Sequence, residues 1–548
     1  MKLIKKYFNV LTPDRKKIRK KELLLGLLSG LLLGISFPPS PFPFLIFFAL
    51  IPFLYVIEKR DSLFSINRFT YFTTFFFTII TLYWVGSWTK EADPFLMISG
   101  VLLMFVNPAL FMIPSTLYYL CREHLNKNIA LSLFPFFWVS FEYLYSLTDL
   151  RFPWLTLANS LPKFNIFIQA ADIIGAYGLS LLVLYINLFL YLSLKNYRES
   201  KKLNLTYLTV ALLLFILPII YGAYKISSFQ NQGKTLKVGL IQPDLNPWEK
   251  WAAGNLNEQL DLYLNMSKQA VDEGAEFILW PESALPVYLL SGNYEYEVER
   301  IHNFVRINNV SIMTGMPDAT FYFDLTNAPP EAKRTTSGTT AYTSYNSILL
   351  FQPSKNAIQK YGKIKLVPFG EKVPFVEELP FLGDFIKWQV GISSWNVGKE
   401  QTVFNISDNL KVGGVICIES IYPDFVSGFV QKGANILAVV TNDSWYGYSS
   451  GPFQHKDISI LRAVENRRSV IRAANGGISC IIDPLGNVIS KTKLFTRDVL
   501  VGSTQLGEEL TFYTKYPFLI PIIAFVISIL IIVLSIIKKI IRKLSLQN

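Results

Sequence analysis

Long apolar stretches with little or no charge recur through the first 226 residues and once more near the end, at 22–38, 41–57, 69–88, 95–119, 129–147, 173–194, 206–226 and 517–537. Most reach the roughly 20 residues that a membrane-spanning helix needs. The pattern therefore predicts a membrane α-helical bundle of about eight transmembrane helices, seven before a long interval and one after it. The first two runs are short and separated only by Phe37-Pro38-Pro39-Ser40-Pro41. They read as two helices joined by a tight turn, with a re-entrant pair as the other arrangement.

Inside the interval the rhythm changes to short apolar runs separated by helical periodicity. Leu236–Gln242, Phe277–Trp280, Val310–Met316, Tyr345–Phe351, Val412–Cys417 and Leu437–Thr441 read as strands. Helices are expected at Leu256–Glu273, Tyr422–Lys432 and Ile458–Ala473, and a hairpin over Ile478–Ile489 turning at Pro484–Asn487. Strands alternating with helices predict a layered α/β domain. Residues 318–343 and 371–400 show no period and are too long for plain connectors, so they are candidate lids or binding loops. The second holds Phe375, Leu379, Phe381, Leu382, Phe385, Ile386 and Trp388, an apolar load suited to lying on lipid. The expected domains are 1–226 (seven helices), 227–516 (the α/β domain) and 517–548 (one helix and a basic tail).

Charge fixes the sides of the membrane. Residues 1–21 hold nine Lys or Arg and are followed by no small-residue cleavage site, so they are not expected to be a cleavable signal. With that segment inside, the cytoplasmic segments carry 22 basic residues, whereas the short opposite loops carry only Lys90, Arg151 and Lys163. Residues 227–516 are then extracytoplasmic. The net charge of +12 is largely accounted for at cytoplasmic helix ends, where anionic headgroups attract it, and it is poor support for a nucleic-acid partner. Three Cys and three His leave too few ligands for a zinc cluster or a His-based triad. Cys417 and Cys480 could in principle pair in an oxidising compartment, but as thiols in apparent core strands they read as free.

Candidate chemistry gathers at strand ends. Cys417 closes the run GGVICIES and precedes a helix, whose N-terminus lowers a thiol's pKa. Such a nucleophile needs a base and a group for the oxyanion. Glu282 in WPES, after the strand FILW, can supply the base. The segment YGKIKLVPFGE alternates apolar and charged positions, which places Lys363 and Lys365 on one strand face and supplies a cation. Glu142, inside the fifth apolar run, is expected to be a structural partner near the interface, with Arg151 close by, or else a substrate contact.

The order of Glu282 in WPES, Lys363 in YGKIKLVPFGE and Cys417 in GGVICIES resembles the nitrilase (carbon-nitrogen hydrolase) superfamily. The helices, Phe152-Pro153-Trp154, LVPFGEKVPF and TNDSWYGYSSGPFQH resemble its apolipoprotein N-acyltransferase family, over nearly the whole chain. The resemblance implies a nitrilase-like α-β-β-α sandwich for the extracytoplasmic domain. It makes Glu282 the general base, Lys363 the oxyanion-stabilising cation and Cys417 the nucleophile. Glu371 and Glu419 match supporting active-site acids, and Trp251 matches a tryptophan near the substrate entrance. Lys365 stands where the family's motif has histidine, and Ile418 where these acyltransferases often have tyrosine. The implied reaction moves an acyl chain from a phospholipid donor, through a cysteine thioester, to the α-amine of a diacylated lipoprotein acceptor. It takes place at the lipid bilayer of a bacterial cytoplasmic (inner) membrane, with no cofactor, metal or nucleic acid. A membrane-tethered amidase with the same triad is the second reading, and a transporter or scaffold carrying a binding module is the third.

Overall fold

The computed structural model describes residues 20–89, 92, 94–229, 234–249, 256–375 and 395–545. The chain forms two compact units, one of Met1–Gly86, Ile98–Ser228 and Tyr516–Asn548, the other of Ser87–Met97 and Phe229–Lys515.

Among the described residues, six helices are long and apolar enough to cross a membrane, all in the first unit but for the first two residues of the second helix: Leu63–Gly86, Leu96–Arg122, Lys127–Leu147, Ala171–Ser200, Leu205–Ser228 and Leu519–Leu544. Of the first two apolar runs, expected as two helices joined by a tight turn, the second differs from the expectation. One forms the 16-residue helix Lys20–Ile35; the other breaks into a 3₁₀ turn at Pro43–Phe47 and the nine-residue helix Ile51–Lys59. A buried asparagine accounts for the break. Asn187 donates to the Ile46 carbonyl at 2.8 Å and accepts from the Leu50 amide at 2.8 Å, giving the interrupted backbone partners that lipid cannot supply. The helix Lys20–Ile35 carries Gly26, Gly30 and Gly34 at four-residue spacing, and this ridge lets it close on Leu63–Leu82. A methyl at Gly30 would lie 2.5 Å from the Thr73 carbonyl oxygen. Glu142 Oε1 accepts from Trp138 Nε1 at 3.1 Å and from the Leu157 amide at 2.9 Å, holding the turn Leu157–Ser160.

The second unit is built on two mixed sheets. The first contains β1 (Thr235–Gln242), β2 (Phe277–Trp280), β3 (Ser311–Tyr322), β4 (Lys333–Arg334), β5 (Ala341–Gln352), β6 (Lys355–Gly362) and β13 (Asp498–Gln505), in the order β13-β1-β2-β3-β5-β4 with β6 also on β5. The second contains β7 (Val403–Ser407), β8 (Leu410–Ile416), β9 (Ile436–Thr441), β10 (Val470–Ala474), β11 (Cys480–Ile482) and β12 (Val488–Lys491), in the order β12-β11-β10-β9-β8-β7. β1, β2, β3 and β5 approach β8, β9 and β10, so the sheets lie face to face. Helices Leu256–Asp272 and Glu295–Asn308 cover the first sheet, and Pro423–Gln431 and Gly451–Asn466 cover the second, giving α-β-β-α layers. The parallel strands β8, β9 and β10 are almost wholly buried, which is why ILAVVT of β9 reads as a continuous apolar run.

Three expectations are corrected. The long helix starts at Gly451 and ends at Asn466, where Arg467 turns left-handed at φ 48°, so Val470–Ala474 is free to pair with β9 as a strand. Residues 318–343, expected to be irregular as a lid or binding loop, begin and end in regular strand: β3 runs on to Tyr322, and Phe321 and Tyr322 face Tyr342 and Ala341 of β5. Lys363 and Lys365 lie beyond β6 and share no strand face. The candidate lid at 371–400 and its residues Leu379, Phe381, Leu382, Phe385, Ile386 and Trp388 fall largely outside the described residues, as does Trp251.

Candidate active site

Glu282 leaves the end of β2 through a sharp turn. Ser283 takes φ 50°, the Ala284 amide donates to the Gly315 carbonyl at 2.7 Å, and Gly315 leaves room for the turn. A Cβ at Gly315 would lie 2.5 Å from Glu282 Cα. Lys363 enters from the other side of β5, its amide donating to the Asn346 carbonyl at 2.8 Å. Its Nζ lies 2.8 Å from Glu371 Oε1 and 3.3 Å from Glu282 Oε1. Asn346 Nδ2 donates to the same two oxygens, at 2.7 Å to Glu282 and 2.9 Å to Glu371. These two contacts to carboxylates fix which way the amide faces. The remaining carboxylate oxygens accept backbone amides: Glu282 Oε2 from Asn442 at 3.0 Å, Glu371 Oε2 from Val367 at 2.8 Å. All four side chains are buried.

Burial alone would pull the Lys363 ammonium down, but Glu371 and Glu282 outweigh it and hold its pKa well above the lysine range. Lys365 turns elsewhere, its Nζ lying 5.3 Å from the Tyr422 ring centroid and 5.7 Å from that of Phe425.

Cys417 stands at the end of β8 with φ 50°, opens the 3₁₀ turn Cys417–Ile421 and is a free, half-buried thiol. The helix-terminus expectation for its acidity is overturned. Burial pushes the thiol up, the Glu282 charge adds to this, and Lys363 only partly offsets them. The surroundings therefore favour the protonated thiol. Cys480 is likewise free and buried, so no bridge joins the two.

Glu419 acts on backbone. Its Oε1 accepts from the Tyr361 hydroxyl at 2.7 Å and from the amides of Ile364 at 2.7 Å and Lys365 at 3.1 Å. Its Oε2 accepts from the Ile416 amide at 2.9 Å, so one carboxylate ties the lysine segment to the cysteine strand. Burial raises its pKa.

Asn346 and Arg472 were not singled out from sequence, and Asp443 and His455, which lie inside the segment TNDSWYGYSSGPFQH, were given no role there. His455 Nδ1 lies 2.8 Å from Asp443 Oδ1, and Arg472 Nη2 donates to Asp443 Oδ2 at 2.6 Å. Arg472 was the readable signal, a charge in the middle of the apolar strand VIRAA that requires a buried partner.

The sequence model of the carbon-nitrogen hydrolase family matches residues 237–509, and that of the apolipoprotein N-acyltransferase N-terminal domain matches residues 29–189. The apolipoprotein N-acyltransferase of Chlorobaculum tepidum is 33% identical over 518 residues, covering 93% of this chain and 95% of that one. The chain belongs to the apolipoprotein N-acyltransferase family. A second member, from Geobacter metallireducens, is 32% identical over 516 residues, covering 93% and 94% of the two chains. Among solved structures, an amidase from Nesterenkonia sp. matches with TM-score 0.36 and 16% identity over 53% of this chain and 96% of its own. Family membership joins a helical membrane part to a nitrilase-like domain in one chain, the two parts described above.

Proposed function

We propose that the protein transfers an acyl chain from a membrane phospholipid to the α-amine of an N-terminal diacylglyceryl-cysteine, through a thioester on Cys417. The observation that carries this reading is the Glu282–Lys363–Glu371 cluster, locked by Asn346 and within electrostatic reach of a strained thiol, in a chain of this family. Glu282 takes the thiol proton as Sγ attacks the ester carbonyl. Lys363 and the Ile418 amide receive the oxyanion. Collapse expels the lysophospholipid oxygen, which takes the proton from Glu282, and leaves the thioester. The acceptor amine then attacks, gives its proton to Glu282 and displaces the Cys417 sulfur, which is reprotonated. Glu371 holds Lys363 in place. The excess of Lys and Arg on alternate loops supports an extracytoplasmic position for residues 227–516 in a bacterial inner membrane.

The test uses purified protein in phospholipid carrying a labelled acyl chain. Hydroxylamine-sensitive label is expected on the protein, absent in Cys417→Ala, and should pass to an added diacylated lipopeptide with a free amino terminus. Release as free fatty acid would mark a hydrolase instead, and full transfer by Cys417→Ala would end the proposal.

A further inference from the structure

One buried polar cluster has no part in the steps above, and it grips the backbone of Cys417. His455 Nε2 lies 3.1 Å from the Cys417 carbonyl oxygen, and the Ser420 hydroxyl donates to that same oxygen at 2.8 Å. His455 Nε2 and Ser420 Oγ are 3.0 Å apart. On the far side of the ring Nδ1 lies 2.8 Å from Asp443 Oδ1 and 3.1 Å from Arg472 Nη2, and Asp443 is itself held by the Thr441 hydroxyl at 3.0 Å and Arg472 at 2.6 Å. His455, Asp443 and Arg472 are 4%, 1% and 0% exposed. Arg472 Nε and Nη1 find no hydrogen-bond partner among the described residues, so the guanidinium is kept in the sheet despite two unmet donors. A buried ionic chain of this kind is weak support for stability in itself, because desolvation consumes most of the attraction.

What the chain touches explains its retention. The peptide bond is planar and trans, so the Cys417 carbonyl and the Ile418 N–H point in opposite directions in one rigid plane. The Ser420 hydroxyl donates to this oxygen, and His455 joins it in the tautomer that carries its proton on Nε2, with Nδ1 then accepting from Arg472 Nη2 at 3.1 Å; fixing the oxygen in this way aims the Ile418 amide and polarises its N–H. Cys417 sits at φ 50°, a left-handed conformation that an L-residue keeps only when its surroundings over-determine it.

We infer that His455, oriented by Asp443 and Arg472 and assisted by Ser420, is a positioning residue that sets the Ile418 amide as an oxyanion donor by holding the Cys417 carbonyl. This rests on the reading of Cys417 as the acylated nucleophile. The sulfur's own nucleophilicity is governed by Glu282 and Lys363, so the two functions can be separated. Acyl transfer passes through a tetrahedral oxyanion, whereas alkylation of the thiol by iodoacetamide does not.

The experiment measures both reactions on the full-length protein: single-turnover thioester formation from labelled phospholipid at saturation, and the rate of Cys417 alkylation. His455→Leu is expected to slow acylation by roughly 10- to 100-fold, up to the loss of one oxyanion donor. Its alkylation rate should stay within about twofold, and the phospholipid concentration giving half-maximal rate should be unchanged. His455→Gln, which keeps a donor near the carbonyl, should recover much of the acylation rate. If His455→Leu does not fold, Ser420→Ala carries the test, with a several-fold loss of acylation and unchanged alkylation. Parallel loss of both reactions in these variants, or acylation at the parent rate, overturns the inference. A parent protein that takes no label on Cys417 refutes the acyl-enzyme reading instead.

Discussion

Replacing Lys363 by methionine removes the cation from between two buried carboxylates. Nζ lies 3.3 Å from Glu282 and 2.8 Å from Glu371. Unit charges at those separations attract by roughly 5 and 6 kcal/mol at an effective dielectric of about 20, before desolvation is subtracted. The lysine side chain is 1% exposed, so much of that attraction offsets its removal from water. Breaking a buried pair by deleting one partner still costs on the order of 3–5 kcal/mol, because charge is left uncompensated. Glu282 and Glu371 would remain bridged by Asn346 Nδ2, and two like charges sharing one site favour uptake of a proton.

Two results follow from that arithmetic. At pH 7 the second unit of Lys363→Met should melt about 10 °C below the parent, taking roughly 2–4 °C per kcal/mol for a domain of this size. Part of the deficit should be recovered as the pH falls towards 5, because a proton on one carboxylate relieves the repulsion. In the parent the sign is different: the Lys363 pKa is raised, so its contribution is complete below the ordinary lysine value near 10.4 and is lost only as pH rises through the higher folded value. Lys365→Met is the control. Its ammonium lies over the Tyr422 and Phe425 rings, an interaction of about 0.5–1 kcal/mol. Thermal melts of the three detergent-solubilised proteins from pH 5 to 9, with thioester formation measured alongside, decide the matter. A Lys363→Met protein that melts with the parent at pH 7, or a larger loss in Lys365→Met, refutes the reasoning.

Three further substitutions probe other links. Gly315→Ala would place Cβ 2.5 Å from Glu282 Cα and 2.8 Å from the Pro281 carbonyl oxygen, so backbone must move; overpacking by about 1–3 kcal/mol and a loss of up to roughly 100-fold in single-turnover acylation are expected, and a parent rate would show that the turn is not what aims the base. Burial would raise the Asp443 carboxyl, but Arg472 and His455 outweigh it and hold its pKa below the usual range. Its stabilisation is therefore present above the ordinary value near 3.9 and lost as pH falls through the lower folded value, so the melting difference between parent and Asp443→Asn should shrink from pH 5 downwards; a constant difference contradicts this. In the membrane unit, Gly30→Leu should lower the melting temperature by several degrees, at about 1–3 kcal/mol of overpacking, while Cys417 alkylation at 25 °C is unchanged; equal melting would mean that the helix pair does not need the glycine ridge.

The elements that sequence revealed are those whose signal is local. Continuous apolar runs such as FILW and ILAVVT locate β2 and β9 because strands buried on both faces need nothing else. The long membrane helices are visible for the same reason, while the broken segment at 41–57 is hidden because its cause, Asn187, lies far along the chain. Asn346 escapes notice in AYTSYNSILLF, where it is one polar residue among several. It gains its importance from Glu282 and Glu371, which lie 64 and 25 positions away.

The misread strand at Lys363 and Lys365 shows how a correct local pattern is overruled. YGKIKL alternates as a strand should, and β6 does run to Gly362. Extension would require the amides of Ile364 and Lys365 to find a neighbouring strand. They find the Glu419 carboxylate instead, at 2.7 and 3.1 Å. That carboxylate is anchored by the Ile416 amide next to Cys417, so the chain leaves the sheet where the cysteine strand ends. Gly398 seals the departure: its amide donates to the Lys363 carbonyl at 2.8 Å, and a Cβ there would lie 1.9 Å from the Gly362 oxygen. Lys363 is thereby turned into the carboxylates and Lys365 away from them. The acid two residues after the cysteine thus decides which lysine faces Glu282 and Glu371, and it does so through backbone hydrogen bonds that alternation in sequence cannot register.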